Sequence, residues 1–255
     1  MRNLILTISG DKNEENNVMK NIIDINKWIG DMDYQYLVYT NYEMPNTIFS
    51  KFTYFNEMFY NLQKKIKEYD FLMLLDGDDQ FLPEKIGYIN KLLETDKDDY
   101  IHNYALYDNK NYKWNGINNN NSCITIRTSK INFNFYENTK SLSDYLLWLS
   151  VIGDHGKIVD LEKVLTLIHN KSYNYSQYVD YMSKRYFLRL KDLQNLYEKF
   201  KMTNYAKNIK KEYLKYKYIL HAKSTINGFP DLFTYLHRKE DTDFFIKREY
   251  DLRVK

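Results

Sequence analysis

A chain of 255 residues with 44% apolar content, 3 prolines and 8 glycines is long enough for one large α/β domain with an appendage, and too rich in core-forming residues to be disordered. Its 37 Lys/Arg against 34 Asp/Glu leave a net charge of +3, which singles out no nucleic-acid partner. Cys123 is the only cysteine, which excludes an internal disulfide, and no apolar run reaches the roughly 20 residues of a membrane span. Leu4–Ile8 is too short an apolar stretch for a signal peptide, so a soluble, cytoplasmic protein is expected.

Asn3–Ile8 reads as a first buried strand, and Glu14–Trp28 as a helix whose apolar residues Val18, Ile22, Ile25 and Ile29 recur at the 3-4 spacing. Tyr34–Tyr39 reads as a second strand, Thr40–Pro45 as a loop and Phe49–Tyr69 as a second helix. Phe71–Leu75 is an unbroken apolar run, the pattern of a strand buried on both faces of a sheet. Pro83 starts a helix running to Leu93. Strand and helix alternate to this point, which builds a parallel sheet covered by helices, with ligands beyond the carboxyl ends of the strands. Further on, Tyr100–Tyr107 and Cys123–Arg127 read as strands around a polar loop, Trp114–Ser122. Leu142–Ile152 reads as an apolar helix with Ser141 or Ser143 as its cap. Lys157–Val159 and Val164–His169 read as two more strands, and no internal repeat is present.

Beyond Tyr178 the pattern becomes helical and basic. Asp180–Lys223 holds 12 Lys/Arg against 4 Asp/Glu. Phe187, Leu190, Leu193, Leu196, Tyr197 and Phe200 define one amphipathic helix, and Tyr205, Ile209, Tyr213, Tyr216 and Ile219 a second, before Gly228-Phe229-Pro230 breaks the pattern. The division expected is residues 1–177 for the α/β domain and 178–255 for a helical extension.

The chemistry concentrates where the Phe71–Leu75 run ends. Asp76, Asp78 and Asp79 place three carboxylates in four residues, with Gly77 allowing the turn. Carboxylates this close repel one another unless a proton or cation lies between them, and a hard ion such as Mg2+ or Mn2+ suits them. A solvated acidic turn is the plainer reading of the same residues.

In this order of features the chain resembles the family-2 glycosyltransferases of the GT-A fold, over roughly Asn3–Gln177. Asp76-Gly77-Asp78-Asp79 stands where that family has its D-x-D motif, and Pro83 follows the last acid by four residues, as in the family. Ser143-Asp144-Tyr145-Leu146-Leu147-Trp148-Leu149 resembles the family's E-D-W-x-L-W-L stretch, and Leu167-Ile168-His169-Asn170 its closing histidine segment. Asn56 lies near the family's R-N pair. The resemblance implies a mostly parallel, Rossmann-like sheet flanked by helices. It implies a nucleotide diphosphate sugar as donor, with Mn2+ or Mg2+ on Asp78, Asp76, Asp79 and His169. Donor contacts would come from Asp76, Asn56, Ser9 and Thr40, and Asp144 would be the base in an inverting transfer to a glycan, lipid-linked or protein acceptor. Tyr39-Thr40-Asn41 stands where the family usually has a base-reading acid, Ser143 where it has Glu, and Ser150 where it commonly has Arg.

Two other readings of these residues stay open. The Asp76/Asp78 pair also resembles the first motif of haloacid dehalogenase-like phosphatases, although Gln80 replaces the usual Thr, two strand-helix units precede the motif and Pro83 has no role there. The basic segment 180–223 could instead contact an anionic membrane face or nucleic acid. Nucleic acid is not favoured, because Tyr and Lys are abundant throughout and the apolar positions keep a helical period. Taken without the resemblance, Asp144 at a helix start reads first as a first-turn or capping residue.

Overall fold

The computed structural model describes residues 2–95, 98–108, 113–117, 120–169 and 175–225. In chain order the elements are β1 (Asn3–Ser9), α1 (Glu15–Ile29), β2 (Tyr34–Thr40), β3 (Ile48–Phe49), α2 (Phe55–Asn61), α3 (Gln63–Ile66), β4 (Phe71–Asp76), β5 (Gln80–Phe81) and α4 (Lys85–Thr95). They continue with β6 (Tyr100–Asp108), β7 (Lys113–Ile117), β8 (Ile124–Arg127), α5 (Ser143–Gly153), β9 (Ile158–His169), α6 (Tyr175–Phe200) and α7 (Ala206–Thr225). The strands form one mixed sheet in the order β3-β2-β1-β4-β8-β6-β9-β5, with β7 paired to β6. The pairings give β1, β2, β3, β4, β6 and β9 a common direction, against which β5, β7 and β8 run. The carboxyl ends of β1, β2, β4 and β9 therefore share one edge.

Side-chain alternation sorts the sheet into two faces. Leu4, Leu6 and Ile8 of β1 and Leu72 and Leu74 of β4 enter one core with Phe59, Ile66, Tyr145, Leu149, Leu193, Leu196 and Ile209. Ile5 of β1 and Phe71, Met73 and Leu75 of β4 enter the opposite core with Ile25, Ile29, Ile86 and Ile89. So α1 and α4 cover one face, while α2, α3, α5, α6 and α7 cover the other. Each fully buried Leu or Ile contributes about 1.5–3 kcal/mol, which makes this double burial the main source of stability. The predicted stripe Val18, Ile22, Ile25, Ile29 is buried on α1.

Several expectations are corrected. The helix expected over Phe49–Tyr69 is replaced by the short strand β3 and two helices. Ile48 and Phe49 pair with β2. Glu57 Oε2 accepts from Thr53 N–H (3.0 Å), which fixes the later start, and Leu62 breaks the run with ψ near zero. The loop expected over Trp114–Ser122 contains β7, paired antiparallel to β6 through backbone groups that need no apolar period. The two strands expected at 157–159 and 164–169 are the single strand β9, with a bulge against Asn103–Tyr104 of β6 hiding its continuity. Pro83 lies in the turn before α4 rather than in its first turn. The break at Gly228-Phe229-Pro230 lies outside the described residues. Among the described residues no helix is long and apolar enough to cross a membrane.

The start of α5 also departs from expectation. Neither Ser141 nor Ser143 caps it; the residue before the helix is Leu142, in the left-handed region at φ 70°. A β-carbon there costs about 1–3 kcal/mol, so the surroundings must impose that conformation.

Candidate active site

Alternation along β4 decides where the first acid points. Leu72, Leu74 and Asp76 share a face, and that face is covered by α5. Ser9 follows Ile5 and Thr7 on the opposite face, toward α1. Its Oγ donates to Glu14 Oε2 (2.7 Å) and meets Tyr42 Oη (3.2 Å). Gly77 fits between these groups: a Cβ there would lie 2.4 Å from Glu14 Oε2 and 2.8 Å from Ser9 Cβ and Oγ. Only glycine permits that approach. Asn17 and Asn21 of α1 then donate to the backbone carbonyls of Gly77 and Asp79 (2.7–2.9 Å), fixing the acid turn to the helix.

Beneath the acid turn lies a hub that the sequence did not announce, the single 3-10 turn Asn121–Cys123 leading into β8. Ser122 Oγ accepts from Asp76 N–H (2.9 Å) and donates to Asp79 Oδ2 (2.7 Å). Asn121 Nδ2 donates to Asp76 Oδ1 (3.1 Å) and to Ser143 Oγ (3.0 Å), joining β4 to the start of α5. Behind the hub, Lys85 is fully buried, donates to Ser122 O and Thr166 Oγ1 and lies 4.1 Å from the centroid of the Phe81 ring. Burial pulls its ammonium down to about 7, against the opposing pull of Cys123 and Asp79. Burial pushes the Cys123 thiol up to about 12, so it is no nucleophile at neutral pH.

The three acids occupy different environments. Asp79 is 1% exposed and turned inward onto Ser122; burial, then Asp78 and Asp76, hold its carboxyl well above the usual range. This inward turn makes Asp79 an anchor of the hub rather than an open ligand. Asp76 and Asp78 are partly open. Burial first, then the charge of Asp78 and more weakly those of Asp144 and Glu14, push the Asp76 carboxyl up to about 7, while the Asn121 hydrogen bond opposes the rise. Asp144, in the first turn of α5, is therefore brought within electrostatic reach of Asp76, and one of its oxygens accepts from Tyr145 N–H (2.9 Å).

The remaining sequence candidates divide. His169 ends β9, two residues beyond Leu167, the partner of Gln80, and so reaches the edge of the sheet that carries the acids. Thr40 is buried with its hydroxyl on Tyr42 O and Thr47 Oγ1, inside its own loop. Asn56 is buried, and its amide donates to Thr139 Oγ1 (3.0 Å) and Ser141 O (2.7 Å). Glu14, Asn121, Ser122 and Lys85 were missed. Each sits where residue type suggests a solvated helix start or loop, and only tertiary placement gives it a role.

Among the described residues no group of three or more His, Cys, Asp or Glu is close enough to hold a metal ion. The pair Asp76 and Asp78, two mutually repelling carboxylates at and just beyond the end of β4, has the donor chemistry that a divalent cation takes. Mg2+-type ions are commonly held this way, by one or two carboxylates with phosphate oxygens completing the shell.

No protein-family profile matches this chain, and no curated protein does. Solved structures do. The chain is similar to S. aureus TarS 1-349 in complex with UDP-GlcNAc at TM-score 0.52 and 12% identity, over 76% of this chain and 66% of that one, just under two thirds of its length. A glycosyltransferase involved in glycosylation of the major capsid of PBCV-1 aligns at TM-score 0.42 and 11% identity, over 72% of this chain and all of that one. The fold is GT-A-type.

Proposed function

We propose that this chain is a glycosyltransferase that moves a sugar from a nucleotide diphosphate sugar to an acceptor hydroxyl. The observation that carries the reading is placement: Asp76 ends β4 at the carboxyl edge of the sheet, Asp78 follows it in the turn, and Asp144, in the first turn of α5, lies near enough to Asp76 to add to the rise of its carboxyl. That edge is where ligands of such sheets bind. The likeness to TarS, whose structure holds UDP-GlcNAc, supports a donor of that chemical class.

Asp76 and Asp78 would hold Mn2+ or Mg2+, which when bound supplies positive charge against a leaving diphosphate. His169 ends β9 at the same edge of the sheet and would be a further polar contact for the donor there. Asp144 takes the proton of the acceptor hydroxyl as its oxygen bonds to the anomeric carbon, and the bonding pair of the broken C–O bond leaves with the diphosphate. With one base and attack from the face opposite the diphosphate, the anomeric configuration inverts. Ser122, Asn121 and Asn17 keep the acids in place while this happens.

A thermal-shift screen of UDP, GDP and their sugars with and without Mn2+ tests the reading. The expected result is a rise in melting temperature that needs both nucleotide and metal. No metal-linked rise with any of them overturns it.

A further inference from the structure

The loop before α5 is held from two sides by side chains that touch none of the acids. From α6, the 2% exposed Asp192 accepts through one oxygen from Lys140 N–H (2.9 Å), Ser141 N–H (2.8 Å) and Ser141 Oγ–H (2.7 Å). From α2, Asn56 donates to Thr139 Oγ1 and Ser141 O. Between these ties and Asp144 lies Leu142, buried and left-handed. Tyr136 Oη donates to Ser143 O (3.1 Å), and Tyr145 Oη donates to Asn208 O of α7 (3.0 Å), so the first turn of α5 is fixed on the C-terminal side as well.

We propose that Asp192 is a positioning residue for sugar transfer, clamping the strained 139–142 loop so that helix α5 presents Asp144 to the acceptor. The C-terminal helix pair is then part of the catalytic unit, not an appendage to it. A loop that must keep a left-handed leucine relaxes when its ties are cut, and the residue displaced most directly is Asp144, two positions on. Asp192 acts through the loop, so its removal changes the geometry of the base most directly, while the acid turn after β4 keeps its own ties to Ser122, Asn17 and Asn21 and feels the change only through the Asn121–Ser143 link.

The inference rests on the reading given under Proposed function, and the test separates the two. Asp192→Ala, Asp192→Asn, Asn56→Ala and the Asn56→Ala/Asp192→Ala double variant are assayed in the full chain for kcat, donor KM and hydrogen exchange over residues 139–146. Asp192→Ala is expected to lower kcat on the order of 10-fold or more with donor KM within about twofold, since small misplacements of a reacting group cost factors of this size. Exchange over 139–146 rises. Asp192→Asn, which keeps a carbonyl acceptor, recovers much of the loss. The double variant loses less than the product of the single losses, because both residues hold one loop. If the unaltered chain turns over no nucleotide sugar, the proposed function fails and the inference falls with it. If the unaltered chain is active and Asp192→Ala keeps its kcat, or loses kcat and donor affinity alike, the inference alone is overturned.

Discussion

Lys85→Met separates a buried charge from a merely long side chain, and the structure sets the size of the effect. The ammonium is enclosed by Phe81, Ser122 and Thr166, and burial pulls it from 10.5 to about 7. Between those values the folded protein has released the proton while the unfolded chain still holds it, so stability rises with pH across that window. Below pH 7 both states are charged and the burial penalty is fully present; above 10.5 both are neutral. At about 1.4 kcal/mol per unit, the two units from pH 7 to 9 contribute about 3 kcal/mol. Methionine has a similar shape and no proton to exchange, so the difference between the two proteins cancels the titration of groups remote from Lys85 and leaves Lys85 with the neighbours it interacts with, Asp79 and Cys123. Urea unfolding at pH 6, 7, 8 and 9 measures it. The stability of the unaltered chain relative to the Met variant should be flat below pH 7 and climb by about 3 kcal/mol by pH 9. A difference that stays constant from pH 6 to 9 refutes the buried ammonium and, with it, the hub as described.

Asp144→Asn should keep nucleotide binding with Mn2+ and lose transfer by on the order of 100-fold or more, the usual weight of a general base; transfer at the normal rate would make Asp144 only a helix-start residue. Gly77→Ala forces a β-carbon to within 2.8 Å of Ser9 Cβ, and because Ser9 is fixed in β1 the turn must give way. Calorimetry should show a loss of about 1–3 kcal/mol, with weaker nucleotide binding as the acids shift.

The parts legible in the sequence are those where one chemical pattern has one structural solution. Phe71–Leu75 could only be a strand covered on both faces, and the Val18, Ile22, Ile25, Ile29 stripe could only be one side of a helix. That α5 covers the face of Asp76 follows from the packed structure alone. Elements held by backbone pairing alone left no such mark: β3 has two residues, and β7 reads W-N-G-I because an edge strand needs no apolar period. The hub was illegible for a different reason. Asn121 and Ser122 are residue types typical of solvated loops, and Lys85 opens a helix like any surface lysine; their burial follows from contacts with residues 37 to 81 positions away. Asp78 and Asp79 are chemically identical neighbours, and only the inward turn of Asp79 onto Ser122 sets the two apart. Thr40 and Asn56 were singled out for a family's motif positions, yet their own hydrogen bonds go to the loops beside them.

The two ends of the strand order have a consequence for how this protein behaves among its own copies. Both β3 and β5 are two residues long. At its end of the sheet β3 covers only Tyr39 and Thr40 of β2, so among the described strands the β2 backbone from Tyr34 to Val38 has no neighbour on its outer side, and Ile48 and Phe49 are exposed beside it. That open stretch of β2 is where an incoming extended chain would add to the sheet, so self-association, if it occurs, is expected to start at the β2–β3 end.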